Sequence, residues 1–169
     1  MLPTSTATRS SRRRVLGIDP GLARFGWAVL EDSAPPKMVA ADCLLTAAGQ
    51  PEAHRLGQLF RALSAIIRRF RPQVMAVEEL YVTKNISTVV AVGQARGVAL
   101  AVAAMTRTPV VGFSPTAVKQ AVTGYGRADK RQVARMVTLL LKLKRQPRLD
   151  DVADAMAVAW CGLPGVVLR

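Results

Sequence analysis

Between residues 15 and 45 the chain sets three short apolar runs, Val15–Asp19, Phe25–Leu30 and Met38–Leu45, in quick succession. The segments between them, "PGLAR" and "EDSAPPK", carry the glycine and proline signals of hairpin turns, so the spacing predicts an antiparallel meander. The period then changes. Leu56, Leu59, Phe60, Leu63, Ile66, Ile67 and Phe70 recur at helical spacing with Arg61, Arg68 and Arg69 among them, the pattern of an amphipathic helix. After Pro72 comes a β-rich run, Gln73–Leu80, and Ser87 is placed to cap a long helix that reaches about Met105. "PVVGF" supplies another strand. A helix with Val133, Met136, Val137 and Leu140 on one face follows, and a last helix runs from about Asp151 to Cys161. A meander followed by β–α units predicts an α/β domain: a mixed sheet, antiparallel meander plus parallel strands, flanked by helices.

The chain has 169 residues, half of them hydrophobic, which suits one domain with one core. Its net charge of +13 is the electrostatic footprint of a polyanion binder, and nucleic acid is the first partner to consider. General solubility or an anionic membrane surface are the alternatives, but no basic amphipathic helix with a Trp or Phe face supports the latter. The most lipid-like stretch, Val89–Met105, is interrupted by Gln94 and Arg96, so no membrane span is expected. Cys43 and Cys161 lie far apart in apolar runs and read as buried thiols of a reducing compartment, not as a disulfide. The opening "MLPTSTATRSSRRR" lacks the apolar region of a secretory signal, although a transit peptide would share its Arg and Ser content. It is expected to form a flexible basic arm over residues 1–14, with a single domain over 15–169.

The acidic residues are few and oddly placed. Asp19 closes the first run, Glu78 and Glu79 close the fourth strand, and Asp150, Asp151 and Asp154 open the last helix. Strand ends are where α/β sheets put their sites. Residues three apart on a helix share a face, so Asp151 and Asp154 are expected to point together at the sheet edge. Carboxylates gathered without His or Cys suit hard cations such as Mg²⁺ or Mn²⁺, and the lone His54 cannot build a zinc site. Two such ions ~3.5 to 4 Å apart clamp the attacking and leaving oxygens of an in-line phosphoryl displacement. A basic surface around an acidic pit is therefore nuclease chemistry.

Each of these residues also has a purely structural role open to it. Asp19 can start the "DPG" turn. Asp150 and Asp151 can serve as helix cap and first-turn charge, with Asp150 the expected cap. Glu78 and Glu79 alternate across the strand, so only one can face the pit.

With these residues in place, the chain resembles the RuvC-type Holliday-junction resolvases of the ribonuclease H-like superfamily. The likeness runs through "LGIDPG" at Leu16–Gly21, "AVEELYVTKN" at Ala76–Asn85, "GQARGVA" at Gly93–Ala99, "VKQAVTGYGRADKRQV" at Val118–Val133 and "DVADAMAVA" at Asp151–Ala159. It implies a ribonuclease H-like fold, with Asp19, Glu78, Asp151 and Asp154 as catalytic carboxylates that hold Mg²⁺ or Mn²⁺, two ions per site. It matches Lys119 and Lys130 to lysines that support DNA binding or cleavage, and Tyr81 to an aromatic that stacks on a base. Lys84 and Asn85 follow in the same loop, and Arg127 and Arg131 lie beside Lys130. Three positions depart from the pattern: Glu79 replaces a common amide, Tyr81 stands where Phe is usual, and Asp150 adds an acid. Of the four carboxylates, Asp151 occupies the position most variable in ligand type within the family.

Physical arguments bear on the added residues. Stacking of Tyr81 on an unpaired base is worth ~1 to 3 kcal/mol, against a ring merely packed over the sheet edge. The glycines of "VTGYGRAD" let a loop approach phosphate, while Arg131, Arg135 and Lys142 recur on a face of the next helix that is equally consistent with simple solvation. Gly93, Gly97 and Ala101 form a small-residue stripe that either the sheet or a second subunit can fill.

The resemblance further implies a homodimer that makes paired nicks at four-way DNA junctions, leaving ligatable 5′-phosphate and 3′-hydroxyl ends. It implies service in recombination and repair, a branch-migration motor of the RuvA and RuvB type as partner, and a bacterial cytoplasmic location at the nucleoid. The competing readings are an RNA-processing nuclease of the same superfamily, a junction-binding module without chemistry, and an actin-like ATP-binding domain, for which the chain is too short.

Overall fold

The computed structural model describes residues 12–80 and 85–166. Ten elements follow one another: β1 (Arg14–Asp19), β2 (Arg24–Glu31), β3 (Lys37–Leu45), α1 (Glu52–Phe70), β4 (Val74–Glu78), α2 (Ile86–Thr106), β5 (Val110–Phe113), α3 (Pro115–Thr123), α4 (Lys130–Leu140) and α5 (Asp150–Cys161). The strands form one sheet in the order β3-β2-β1-β4-β5. β1, β2 and β3 pair antiparallel, whereas β4 and β5 join parallel to β1, so the expected mixed sheet is present.

The alternation of side chains along each strand divides the core in two. Leu16, Ile18, Val29, Met75 and Val77 point to the face covered by α1 and α2. Val15, Ala28, Leu30, Val74 and Ala76 point to the face covered by α3, α4 and α5. β1 is buried on both faces, as a central strand must be. α5 is the most enclosed helix, with Ala153, Ala155, Met156, Ala157, Val158, Ala159 and Cys161 all buried.

Two glycines let α5 lie directly on the sheet. A Cβ on Gly17 would sit 2.2 Å from the Ala155 carbonyl oxygen, and one on Gly26 would sit 2.1 Å from that of Asp151. No side chain can intervene at either crossing. The opening turn of α5 is thereby held against the end of the sheet where β1 stops.

Several boundaries differ from expectation. The ladder of β4 stops at Glu78, and Glu79 and Leu80 lie beyond it. Asn85 caps α2 by accepting from the Thr88 N–H, and Ser87, the expected cap, donates its hydroxyl to the same Asn85 oxygen. The short α3 was not anticipated, although Ser114 caps it, Pro115 opens it and Gly124 closes it at φ 75°. Leu149 holds the cap position of α5 with no side-chain bond, so Asp150 is a first-turn charge and not the cap. Lys142 lies past the end of α4, at φ 50°, off the face it was expected to share with Arg131 and Arg135. Arg12–Arg14, assigned to the arm, belong to the domain: Arg12 and Arg14 pair with Glu31, and the Arg13 carbonyl accepts from Asp32.

By length and mean hydropathy, 1.6, α2 alone among the described helices would suffice to cross a membrane. In this fold it lies on α1 and the sheet through Ala95, Ala99, Val102 and Ala103. Of its small-residue stripe, Gly97 and Ala101 are exposed, and a Cβ on Gly97 would meet nothing within 4 Å, whereas one on Gly93 would meet the Leu80 side chain.

Candidate active site

Asp19 is the last residue of β1 and Glu78 the last of β4. The two strands are parallel neighbours in the register Ile18↔Val77, which sets the two carboxylates side by side. α5 brings Asp154 over them. Asp19, Glu78 and Asp154 line one pit of about 240 Å³ with Lys119 of α3, Lys130 of α4 and the apolar walls Pro115, Val118 and Val133. Of the two glutamates only Glu78 enters this pit; the side chain of Glu79 lies against Gly112 of β5.

Crowding of like charges in a half-dry site makes ionisation costly. Burial first, then repulsion from Asp154, Glu78 and Asp151, pushes the Asp19 carboxyl up to about 8. Burial and then Asp154 push Glu78 up to about 7. Burial also raises Asp154, against the opposing pull of Lys130, whose ammonium lies 3.1 Å from its Oδ2. Burial alone would lower Lys130, but Asp154 and Asp19 carry it upward on balance.

The donor set fits hard divalent cations: several carboxylate oxygens, no imidazole or thiolate in the pit, and a local surplus of negative charge that two buried acids relieve only by holding protons. The cage is not preassembled, however. Among the described residues no three acidic, His or Cys side chains are gathered closely enough to hold an ion. The expected shelf of Asp151 and Asp154 is divided. Asp151 does not line the pit, and its Oδ2 accepts from Nε and Nη2 of Arg24 at 2.7 and 2.6 Å.

The remaining expected residues fall into three groups. Lys119 and Lys130 are in the pit. Arg127 and Arg131 are exposed on the adjoining loop and the first turn of α4, outside its lining, and Asn85 has its side chain committed to capping α2. Tyr81 and Lys84 lie outside the described residues. Arg24 was missed altogether, because its partner is 127 residues away and no local pattern signals the pairing. Also unforeseen is a larger groove of about 830 Å³ between β3 and the α4–α5 connection, floored by Met38, Leu143 and Met156. It contains no group of carboxylates, so the smaller pit is the chemical site.

An antiparallel meander continued by parallel strands, with carboxylates at the ends of the central pair and on the helix crossing them, is the architecture of a ribonuclease H-like nuclease. Residues 15–162 match the family model for crossover junction endodeoxyribonuclease RuvC. The chain belongs to that family, whose members are phosphodiester hydrolases and generally metal-dependent. It is 54% identical to the crossover junction endodeoxyribonuclease RuvC of Chloroflexus aggregans over 149 residues, covering 88% of this chain and 91% of the relative. Among solved structures it is similar to T. thermophilus RuvC in complex with a Holliday junction substrate, with TM-score 0.83, 35% identity and coverage of 88% and 91%. The yeast mitochondrial Holliday junction resolvase Ydc2 shares the fold at 17% identity, with TM-score 0.62 over 91% of this chain and 79% of the other.

Proposed function

We propose that this protein resolves four-way DNA junctions in recombination and repair by paired, metal-dependent hydrolysis of two like strands, leaving ligatable 5′-phosphate and 3′-hydroxyl nicks. The observation that carries this reading is the pit of Asp19, Glu78 and Asp154 between Lys119 and Lys130, on a chain of net charge +13. The 35% identical relative bound to a junction supports the choice of substrate.

Asp19 and Glu78, adjacent at the strand ends, would hold Mg²⁺ or Mn²⁺, with Asp154 and Asp151 completing the ligand set. Two bound ions would supply charge stabilisation at the attacking and leaving oxygens of the phosphodiester. Lys119 and Lys130 hold the phosphate at the rim, where each ammonium offsets part of the developing charge. The walls Pro115, Val118 and Val133 exclude water from one side and strengthen those interactions. Arg127 and Arg131 meet more distant phosphates, Tyr81 stacks on an unpaired base, Lys84 adds a phosphate contact, and Asn85 acts by fixing where α2 begins.

The active unit is a homodimer. Ile86, Val90 and Met105 of α2 are exposed, and the open positions Gly97 and Ala101 permit close approach of a second copy. A two-fold axis would present two pits to the two like strands of a junction. A branch-migration motor of the RuvA and RuvB type and a bacterial cytoplasmic setting complete the reading.

Incubation with a mobile synthetic junction, a matched duplex and a structured RNA, each in Mg²⁺, Mn²⁺ or EDTA, tests it. Paired ligatable nicks confined to the junction and dependent on metal are expected. Cleavage of RNA instead, or tight junction binding without cutting in either metal, overturns it.

A further inference from the structure

The ion pair between Arg24 and Asp151 is built by the fold and is not a chance surface contact. Arg24 and Gly26 are two apart on β2 and so share the sheet face on which α5 lies. At Gly26 the strand and the helix touch backbone to backbone, beside Asp151 itself. Nε and Nη2 of the guanidinium then converge on a single oxygen, Asp151 Oδ2, at 2.7 and 2.6 Å. The carboxylate so held is the one missing from the walls of the pit, yet close enough to add to the repulsion that raises Asp19. The guanidinium is about half exposed, free to swing into solvent once its partner is taken.

We infer that Arg24 is a placeholder cation, a positioning residue that keeps Asp151 out of the pit until a divalent ion competes for the carboxylate. This rests on the reading of the pit as a metal site. In the metal-free protein an unpaired Asp151 carboxylate would add negative charge beside Asp19, Glu78 and Asp154, and Arg24 offsets part of that charge by holding Asp151 at the edge. Metal binding then has to break the pair, so the last ligand is recruited at the expense of affinity.

Calorimetric titration of the EDTA-stripped full chain with Mn²⁺ tests the inference in wild type, Arg24→Ala, Asp151→Asn and the double variant. Arg24→Ala is expected to bind Mn²⁺ about two- to fivefold tighter than wild type, the range open to an exposed ion pair. Arg24→Gln, which keeps most of the side-chain stem, is expected to match it. In the Asp151→Asn background the gain must disappear, because no carboxylate remains to be released.

A gain that persists there would be a general charge effect on the other three acids and would overturn the placeholder, as would unchanged or weaker binding in Arg24→Ala. Asp19→Asn, titrated alongside, separates the two levels. If it loses Mn²⁺ binding while Arg24→Ala has no effect, the placeholder alone fails. If it binds Mn²⁺ as wild type does, the site itself is misassigned.

Discussion

Replacing Asp19 by Asn should make the metal-free protein more stable at neutral pH while abolishing cleavage. The sign follows from linkage. In the unfolded chain the carboxyl ionises at its ordinary value of 3.8, whereas in the folded pit it holds its proton up to about 8. Below 3.8 both states are protonated and the group has no effect. Between the two values the folded state binds more protons than the unfolded, so stability falls as pH rises, by up to ~1.4 kcal/mol per unit, and levels off above about 8. A displacement of roughly four units amounts to a penalty on the order of 5 kcal/mol. Asn must still find hydrogen bonds in the pit and gives up the attraction of Lys130, which leaves an expected net gain of about 2 kcal/mol. For a chain of this size that raises Tm by roughly 4 to 8 °C. Thermal unfolding in EDTA at pH 5, 6, 7 and 8 reads the effect: the wild type should lose stability across the series more steeply than Asp19→Asn. Saturating Mn²⁺ should reverse the order, since a ligand at 100 times its Kd adds ~2.7 kcal/mol to the form that binds it. An Asp19→Asn protein less stable than wild type at pH 7.5 in EDTA, or one with the same pH slope, would refute the reasoning.

Four further outcomes follow from the geometry. Gly26→Ala drives a methyl into the Asp151 carbonyl and must lift the start of α5, costing about 2 to 3 kcal/mol in urea unfolding and about 100-fold in cleavage rate through misplacement of Asp154. Gly97→Ala, with open space around its Cβ, should leave monomer stability within ~1 kcal/mol of wild type in the same assay. Val90→Glu puts a charge on the exposed face of α2; sedimentation should show monomers, and junction cleavage should change from paired to single nicks. Asp129→Ala removes the carboxylate that accepts from the Gln132 N–H at the start of α4, so unfolding should report a loss of about 1 kcal/mol, with weaker phosphate contact at the adjacent Lys130.

Legibility in the sequence varied with how local the signal was. β1, β2 and β3 fall within a residue of their expected bounds, because strong apolar runs alternate there with Gly and Pro turns. α1 was equally clear from its apolar spacing. α3 was passed over: it has only nine residues and two buried positions, Val118 and Val122, too few to establish a period, even though Ser114, Pro115 and Gly124 punctuate it. At the start of α2, Asn85 and Ser87 are both competent caps, and only the chain's path into the helix selects Asn85. The helix face expected to carry Arg131, Arg135 and Lys142 ended early because the backbone turns left-handed at Lys142.

The site divides along the same line. From the sequence alone came the α/β class, the family resemblance, the strand-end positions of Asp19 and Glu78, and the placing of Asp154 on the first turns of the last helix. Each depends on local periodicity and motif spacing, which are properties of neighbouring residues. Only the tertiary structure decided that Lys119 and Lys130 close the pit, that Glu79 turns away to β5, and that Asp151 is withheld by Arg24. Those outcomes depend on where α5 crosses β1 and β2, and the crossing is set by backbone contact at Gly17 and Gly26. Spacing along a chain records which face a residue occupies, whereas the partner on that face is chosen by packing between elements more than a hundred residues apart.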